Sequence, residues 1–242
     1  MAEKNLEEMR EAVEAIREKM AAAAREAGRD PAEVQLCAAC KTRTADIVAA
    51  SAALAIDVFG ENHVQELCAN YDAGAYCGKP SHFIGHLQTN KIKKVLGRAS
   101  LIQSVDSEHL LAAIEKEAAK AGIVQDILLE VNAGGEKQKS GFLLKEFPRI
   151  VEEMADYPAV RVRGLMTVPP IGRKKGDNCR YFQKIRRIAV DITAQKYDNI
   201  FMDFLSMGMT DDFEDAIACG STMVRIGTAI FGPRNYAPVK SD

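Results

Sequence analysis

Lys41 closes an apolar run, Leu36-Cys37-Ala38-Ala39-Cys40, which sets a primary amine at the edge of a hydrophobic core. A partly desolvated lysine has a lowered pKa, and its neutral form can attack a carbonyl carbon to make a Schiff base. Taken alone, the same pattern is better read as a solvated lysine beginning a loop. A second chemistry comes from Ser206-Met207-Gly208-Met209-Thr210, with two hydroxyls and a glycine that lets the backbone approach a ligand, and from Ile226-Gly227-Thr228. Together they outline an anion cup of the kind that holds a phosphate through backbone amides and a helix N-terminus. Asp211, Asp212, Glu214 and Asp215 follow directly and would repel a dianion unless they face solvent. Their favourable interaction with a helix dipole is sufficient to explain them. Arg225 stands between Val224 and Ile226 in a strand pattern, so it points away from both. It faces either a barrel mouth or an outward salt bridge, and a buried guanidinium needs an acceptor.

Other residues carry less on their own. Asn62 and His86 read singly as turn formers. Asn132, Met166 and Thr167 sit at strand ends, and Glu136-Lys137-Gln138-Lys139-Ser140-Gly141 reads as a solvated loop before it reads as a second anion site. Cys37 and Cys40 form a CxxC without a second ligand pair. In a strand, positions three apart face opposite ways, so neither a metal nor a redox site is expected there.

The elements that must position these residues follow from hydrophobic spacing. Leu6, Met9, Val13, Ile16 and Met20 form one stripe of an opening helix that ends near Gly28. Eight strands then alternate with helices: Val34 to Cys40, Asp57 to Phe59, Ser81 to Ile84, Leu101 to Val105, Gln125 to Val131, Val160 to Met166, Phe201 to Leu205 and Met223 to Ile226. Gly60-Glu61-Asn62 is read as the turn after the second strand. The helices between them include His63 to Tyr71, Asn90 to Leu96, one capped by Ser107 and stopped by Gly122, Lys145 to Met154, and Asp211 to Ala218. Eight βα units in 242 residues predict an α/β fold, a single closed (β/α)8 barrel spanning 1–242, with the extra N-terminal helix covering the side left bare after strand eight. An open doubly wound sheet would show five or six strands and a Gly-rich first turn, and no GxGxxG follows strand one. Barrel active sites lie at the C-terminal strand ends, which is where Lys41, Asn62, His86, Met166, Ser206, Gly227 and Thr228 fall.

Composition narrows the function. Lys plus Arg number 32 against 34 Asp plus Glu, for a net charge of −2, which argues against a sequence-independent grip on nucleic acid. The longest nearly apolar stretch, Ile47 to Ile56, is too short to cross a bilayer. Glu3, Lys4, Glu7 and Glu8 open the chain without a signal-peptide pattern, and six scattered cysteines, most of them inside apolar runs, fit a reduced, cytoplasmic protein.

Several ordered blocks are similar to one family. Cys40-Lys41-Thr42-Arg43, Phe59-Gly60-Glu61-Asn62-His63-Val64-Gln65-Glu66, His82-Phe83-Ile84-Gly85-His86-Leu87-Gln88-Thr89-Asn90-Lys91, Lys139-Ser140-Gly141, Gly164-Leu165-Met166-Thr167, Leu205 to Asp212 and Gly220 to Gly232 resemble the pyridoxal phosphate homeostasis proteins of the YggS or PLPBP type. The likeness runs from about residue 34 to 236. It implies a fold-type III barrel like the N-terminal domain of alanine racemase, with pyridoxal 5'-phosphate (PLP) as cofactor and Lys41 as its aldimine lysine. It further implies that Ser206, Gly227 and Thr228 hold the phosphate, that Arg225 faces the pyridine nitrogen, and that Asn62 and Met166 line the ring. Cys40 stands where the family usually has serine and Arg43 where lysine is common.

The function implied is intracellular PLP, or vitamin B6, homeostasis by a monomer that holds the cofactor without substantial turnover, with PLP-dependent apo-enzymes as recipients. No residue is assigned a catalytic role. The alternative is a PLP-dependent amino-acid racemase, or a lysine-dependent aldolase. A racemase of the alanine type adds a C-terminal β domain and a tyrosine from a partner subunit, and this chain is expected to lack both. An arginine at the ring nitrogen donates its proton poorly, which leaves the ring a weaker electron sink.

Overall fold

The computed structural model describes residues 4–233, apart from 137, 173 and 196. The opening helix α1 (Leu6–Glu26) starts at a capping box in which Asn5 and Glu8 satisfy each other's backbone amides. It buries Met9, Val13, Ile16 and Met20 of the predicted stripe, whereas Leu6, in its first turn, stays exposed. Eight strands follow: β1 (Gln35–Ala39), β2 (Val58–Glu61), β3 (Ser81–Phe83), β4 (Leu101–Val105), β5 (Gln125–Glu130), β6 (Val160–Met166), β7 (Ile200–Ser206) and β8 (Met223–Ile226). Each pairs in parallel with its neighbour, and β8 returns to β1, closing the barrel. The helices on its outside are α2 (Ala45–Ser51), α3 (Val64–Asp72), α4 (Ile92–Val95), α5 (Glu108–Ala121), α6 (Phe147–Glu153), α7 (Cys179–Thr193), α8 (Phe213–Ala218) and α9 (Thr228–Phe231). Helix α1 packs against α8, α9 and α2, across the seam where β8 meets β1.

Alternation along the strands divides two apolar regions. Cys37, Val58 and Met223 cluster inside the barrel with Ile84 and Phe204, and Leu101, Leu128 and Met166 form a second interior cluster. Leu36, Ala38, Cys40, Phe59, Phe83 and Ile226 instead pack with the helices. Cys37 and Cys40 thus lie on opposite sides of β1, as strand geometry requires.

Local chemistry explains where the elements differ from the sequence reading. Gly60 and Glu61 belong to β2 rather than to a turn. A Cβ on Gly60 would stand 2.8 Å from both Cys37 Sγ and Ile84 Cδ1, so the glycine serves close packing inside the barrel. The segment from Thr89 opens as a tight 3-10 turn and leaves α4 only four residues. A similar turn at Leu144–Glu146 precedes α6, whose first turn accommodates Pro148 because that position needs no N–H donor. Helix α9, directly after Gly227, was not foreseen; it is too short to show a period.

Candidate functional site

Strand register brings the chemistry to one end of the barrel. Ala38 pairs with Ile226 and Ala39 with Gly60, so Lys41, Asn62, Gly227 and Thr228 emerge side by side at the C-terminal ends of β1, β2 and β8. Gly227 suits this closeness: a Cβ there would make a tight 3.1 Å contact with the Ala39 carbonyl oxygen. Lys41, Asn62, Thr210, Arg225, Gly227 and Thr228 line one cavity of about 370 Å³, with Ala39, Ile84, Val168 and Met209 supplying apolar walls. A neighbouring cavity of about 540 Å³ shares Val168, Met209 and Asp211 with it and extends toward Lys139 and Lys174.

Arg225 resolves to the inward alternative. It is buried, and its Nη1 donates to the Ser206 carbonyl and to Ser206 Oγ, both at 2.7 Å, while Nη2 donates to the Thr167 carbonyl at 2.9 Å. Ser206 Oγ in turn donates to Gln103 Oε1 at 2.6 Å, and Gln103 Nε2 lies 2.9 Å from His82 Nδ1. This chain of polar groups crosses the barrel interior beneath the cavity. All three acceptors on Arg225 are neutral, and burial pulls its pKa down, partly offset by the carboxyl groups of Glu130 and Asp212. The guanidinium still keeps its proton and offers its remaining N–H groups as donors, not as an acid.

Two of the expected site residues do not line this cavity. Ser206 is the last residue of β7, and its hydroxyl is held by Arg225 and Gln103 rather than lining the cavity. Met166, the last residue of β6, packs inside the barrel with Leu101 and Leu128. The acidic residues after Thr210 are largely engaged. Asp212 accepts from the Met209 amide at 2.8 Å and from Asn178 at 2.7 Å, Asp215 accepts from the Gly176 amide at 2.6 Å, and Glu214 pairs with Lys175. Asp211 alone of the four lines the Lys41 cavity. Asn132 braces its own loop through Glu136 and Lys139, and Lys139 pairs with Glu136 at 2.7 Å. Lys137 lies outside the described residues. His86 is exposed, 3.4 Å from Asp106.

The sequence reading missed Gln103, His82 and Glu130. Gln103 and Ser104 interrupt the apolar run of β4, which is the one signal that could have marked Gln103. Glu130 ends β5, and burial, reinforced by Asp106, raises its pKa to about 7 against the opposing pull of Arg225 and His86.

Glu61 anchors the strand that carries Asn62. Asn70 Nδ2 and the Tyr76 hydroxyl donate to its Oε1 at 2.7 and 3.1 Å, while Oε2 is buried without a partner. Burial dominates and raises this carboxyl from 4.5 to about 7. The folded chain therefore binds a proton that the unfolded chain releases above pH 4.5. The associated stability is complete below 4.5 and is lost as pH rises through about 7. Glu61→Gln removes this titration and is expected to gain on the order of 3 kcal/mol relative to wild type between about pH 5 and pH 8. Denaturant titrations of both proteins across that range check it; parallel pH profiles would contradict it.

Residues 12–235 match the family model described as alanine racemase, N-terminal domain. Together with the closed parallel barrel and a lysine at the end of its first strand, this places the chain in the alanine racemase N-terminal-domain class. A curated relative from Aquifex aeolicus, named pyridoxal phosphate homeostasis protein, is 40% identical over 221 residues, 91% of this chain and 96% of that protein. A crystal structure of an unknown protein from Bifidobacterium adolescentis is 36% identical, with a TM-score of 0.88, covering 93% of this chain and 95% of the other. The structure of PipY from Synechococcus elongatus PCC7942 with PLP bound is 28% identical, with a TM-score of 0.76, covering 90% and 100%. The chain belongs to the pyridoxal phosphate homeostasis protein family.

Proposed function

We propose that this chain holds pyridoxal 5'-phosphate in the cavity at Lys41 and serves PLP homeostasis without substantial turnover of its own. The observation that carries this reading is the convergence of Lys41, Asn62, Arg225, Gly227 and Thr228 on one cavity at the barrel mouth. A PLP-bound relative with the same fold supports it. The residues fit the group. The cavity has the volume of a small-ligand site, two cations face an anionic ligand, and Asn62 Oδ1 is buried with no hydrogen-bond partner. When bound, PLP supplies an aldehyde that condenses with a lysine amine, releasing water, and a phosphate that anchors it. Lys41 provides the amine. Gly227 lets the chain approach closely, and Thr228 adds a hydroxyl beside it. Arg225 donates hydrogen bonds but cannot supply a proton to a ring atom. Ser206 acts through Arg225 in this arrangement.

Among the described residues no helix is long and apolar enough to cross a membrane, and all six cysteines are free. Those thiols favour a reducing, cytoplasmic setting. The open mouth suits transfer of the cofactor to apo-enzymes, with the chain acting as a monomer.

Titration with PLP, followed by visible absorbance and borohydride fixation, tests the reading; the mass of the reduced cofactor is expected on Lys41. Pyridoxal lacking the phosphate is expected to bind at least about tenfold more weakly, since hydrogen bonds to a charged group are lost. Deuterium exchange at the α-carbon of L-alanine is expected to be slow. Exchange at enzymatic rates, abolished by Lys41→Ala, would replace the holding function with racemase-type catalysis.

A further inference from the structure

Lys41 leaves the barrel through a four-residue turn. The Arg43 amide donates to the Cys40 carbonyl at 2.9 Å, which makes Lys41 and Thr42 the two central residues. Thr42 has φ +66°, and Lys41 does not share a positive φ. A positive φ confined to the third position is the type II pattern, which calls for glycine or asparagine there. A β-branched threonine is strained in that region. The type I turn would relieve it, because turning over the central peptide returns the third residue to a φ of about −90°.

That relief is opposed from α3. Glu66, in the first turn of that helix, accepts the Thr42 N–H on Oε1 at 3.1 Å. In a type I turn the same N–H would point elsewhere, so a charge-assisted hydrogen bond selects the peptide orientation that the side chain disfavours. The Thr42 hydroxyl contributes nothing to this hold, being buried with no hydrogen-bond partner. The peptide in question begins at Lys41, and its flip swings the ψ of that residue and the frame from which the lysine side chain departs.

We infer that Glu66 is a positioning residue, holding the Lys41–Thr42 peptide in the one orientation that presents the Lys41 amine to the cavity. The inference rests on the PLP reading above and extends it to a residue outside the cavity.

The test uses the full chain with PLP as ligand, in wild type, Glu66→Ala, Glu66→Gln, Thr42→Gly and the Thr42→Gly/Glu66→Ala pair. Glu66→Ala is expected to weaken retention of PLP on Lys41 by about tenfold, a strain-sized effect. Glu66→Gln keeps an oxygen acceptor and should retain most of the affinity. The double variant should recover it, because glycine adopts the type II geometry unaided. Independently of any cofactor, hydrogen exchange at the Thr42 amide should accelerate at least about tenfold in ligand-free Glu66→Ala, while the barrel strands stay protected. Wild-type retention in Glu66→Ala, or a loss that Thr42→Gly does not repair, overturns the role of Glu66. Should Glu66→Ala fold poorly, a well-folded Glu66→Gln variant that loses about tenfold in PLP retention despite keeping the acceptor would overturn it equally. If the wild type itself fixes no PLP on Lys41, the cofactor reading fails, and the exchange of the Thr42 amide still decides whether Glu66 holds the turn.

Discussion

Lys41→Ala is expected to abolish the borohydride-fixable PLP adduct and to lower retention of the cofactor by at least about a hundredfold, because the covalent link has no substitute at that position. The amine belongs to the strand end nearest Arg225, Gly227 and Thr228, and these line the same cavity. The competing amine is Lys139, which lines the adjoining cavity and is paired with Glu136 at 2.7 Å. Peptide mapping after reduction separates the two. Reduced cofactor carried mainly by Lys139 in the wild type, or an undiminished adduct in Lys41→Ala, would move the site across the mouth. The substitution should leave thermal stability within about 2 °C, since Lys41 is half-buried in a turn and not part of the core.

Much of this architecture is legible in the sequence because most strands are short, largely apolar runs and the longer helices carry their own period. Lys41 and Gly227 stand where such runs stop, which is why strand ends alone pointed to them. Arg225 was half legible: alternation fixed that it opposes Val224 and Ile226, but choosing the inside of the barrel required knowing that Ser206 and Thr167 would offer it acceptors. Ser206 shows a related limit of local pattern. Its hydroxyl sits in a segment rich in anion-binding features, yet as the last residue of β7 it points into the barrel, toward Gln103. Met166 is displaced from the cavity by the same inward alternation. The role inferred for Glu66 was not legible, because it depends on α3 lying against the β1–α2 turn, a contact that no local pattern encodes.

Gly164→Ala is expected to be among the most damaging single-methyl additions to the chain. Gly164 has φ +145°, and a Cβ there would stand 1.8 Å from the Phe204 carbonyl oxygen and 2.7 Å from its carbon. Both backbones belong to paired strands, so no flexible side chain can yield. The register between β6 and β7 shifts just before this residue, then pairs Gly164 with Phe204, Leu165 with Leu205 and Met166 with Ser206. Arg163, one residue earlier, ties the same seam to Asp126 and Asp203. Separating the strands at Gly164 would therefore displace Ser206 and Thr167, whose oxygens hold Arg225 under the cavity. The expected cost exceeds about 4 kcal/mol, or a Tm lowered by on the order of 10 °C, with retention of PLP falling in parallel. Gly172→Ala is the control: its added methyl would meet nothing closer than 3.4 Å and its φ is not positive. A Gly164→Ala protein that melts with the control would show that the β6–β7 seam does not approach this closely, and that Arg225 is braced by something other than that pair of strands.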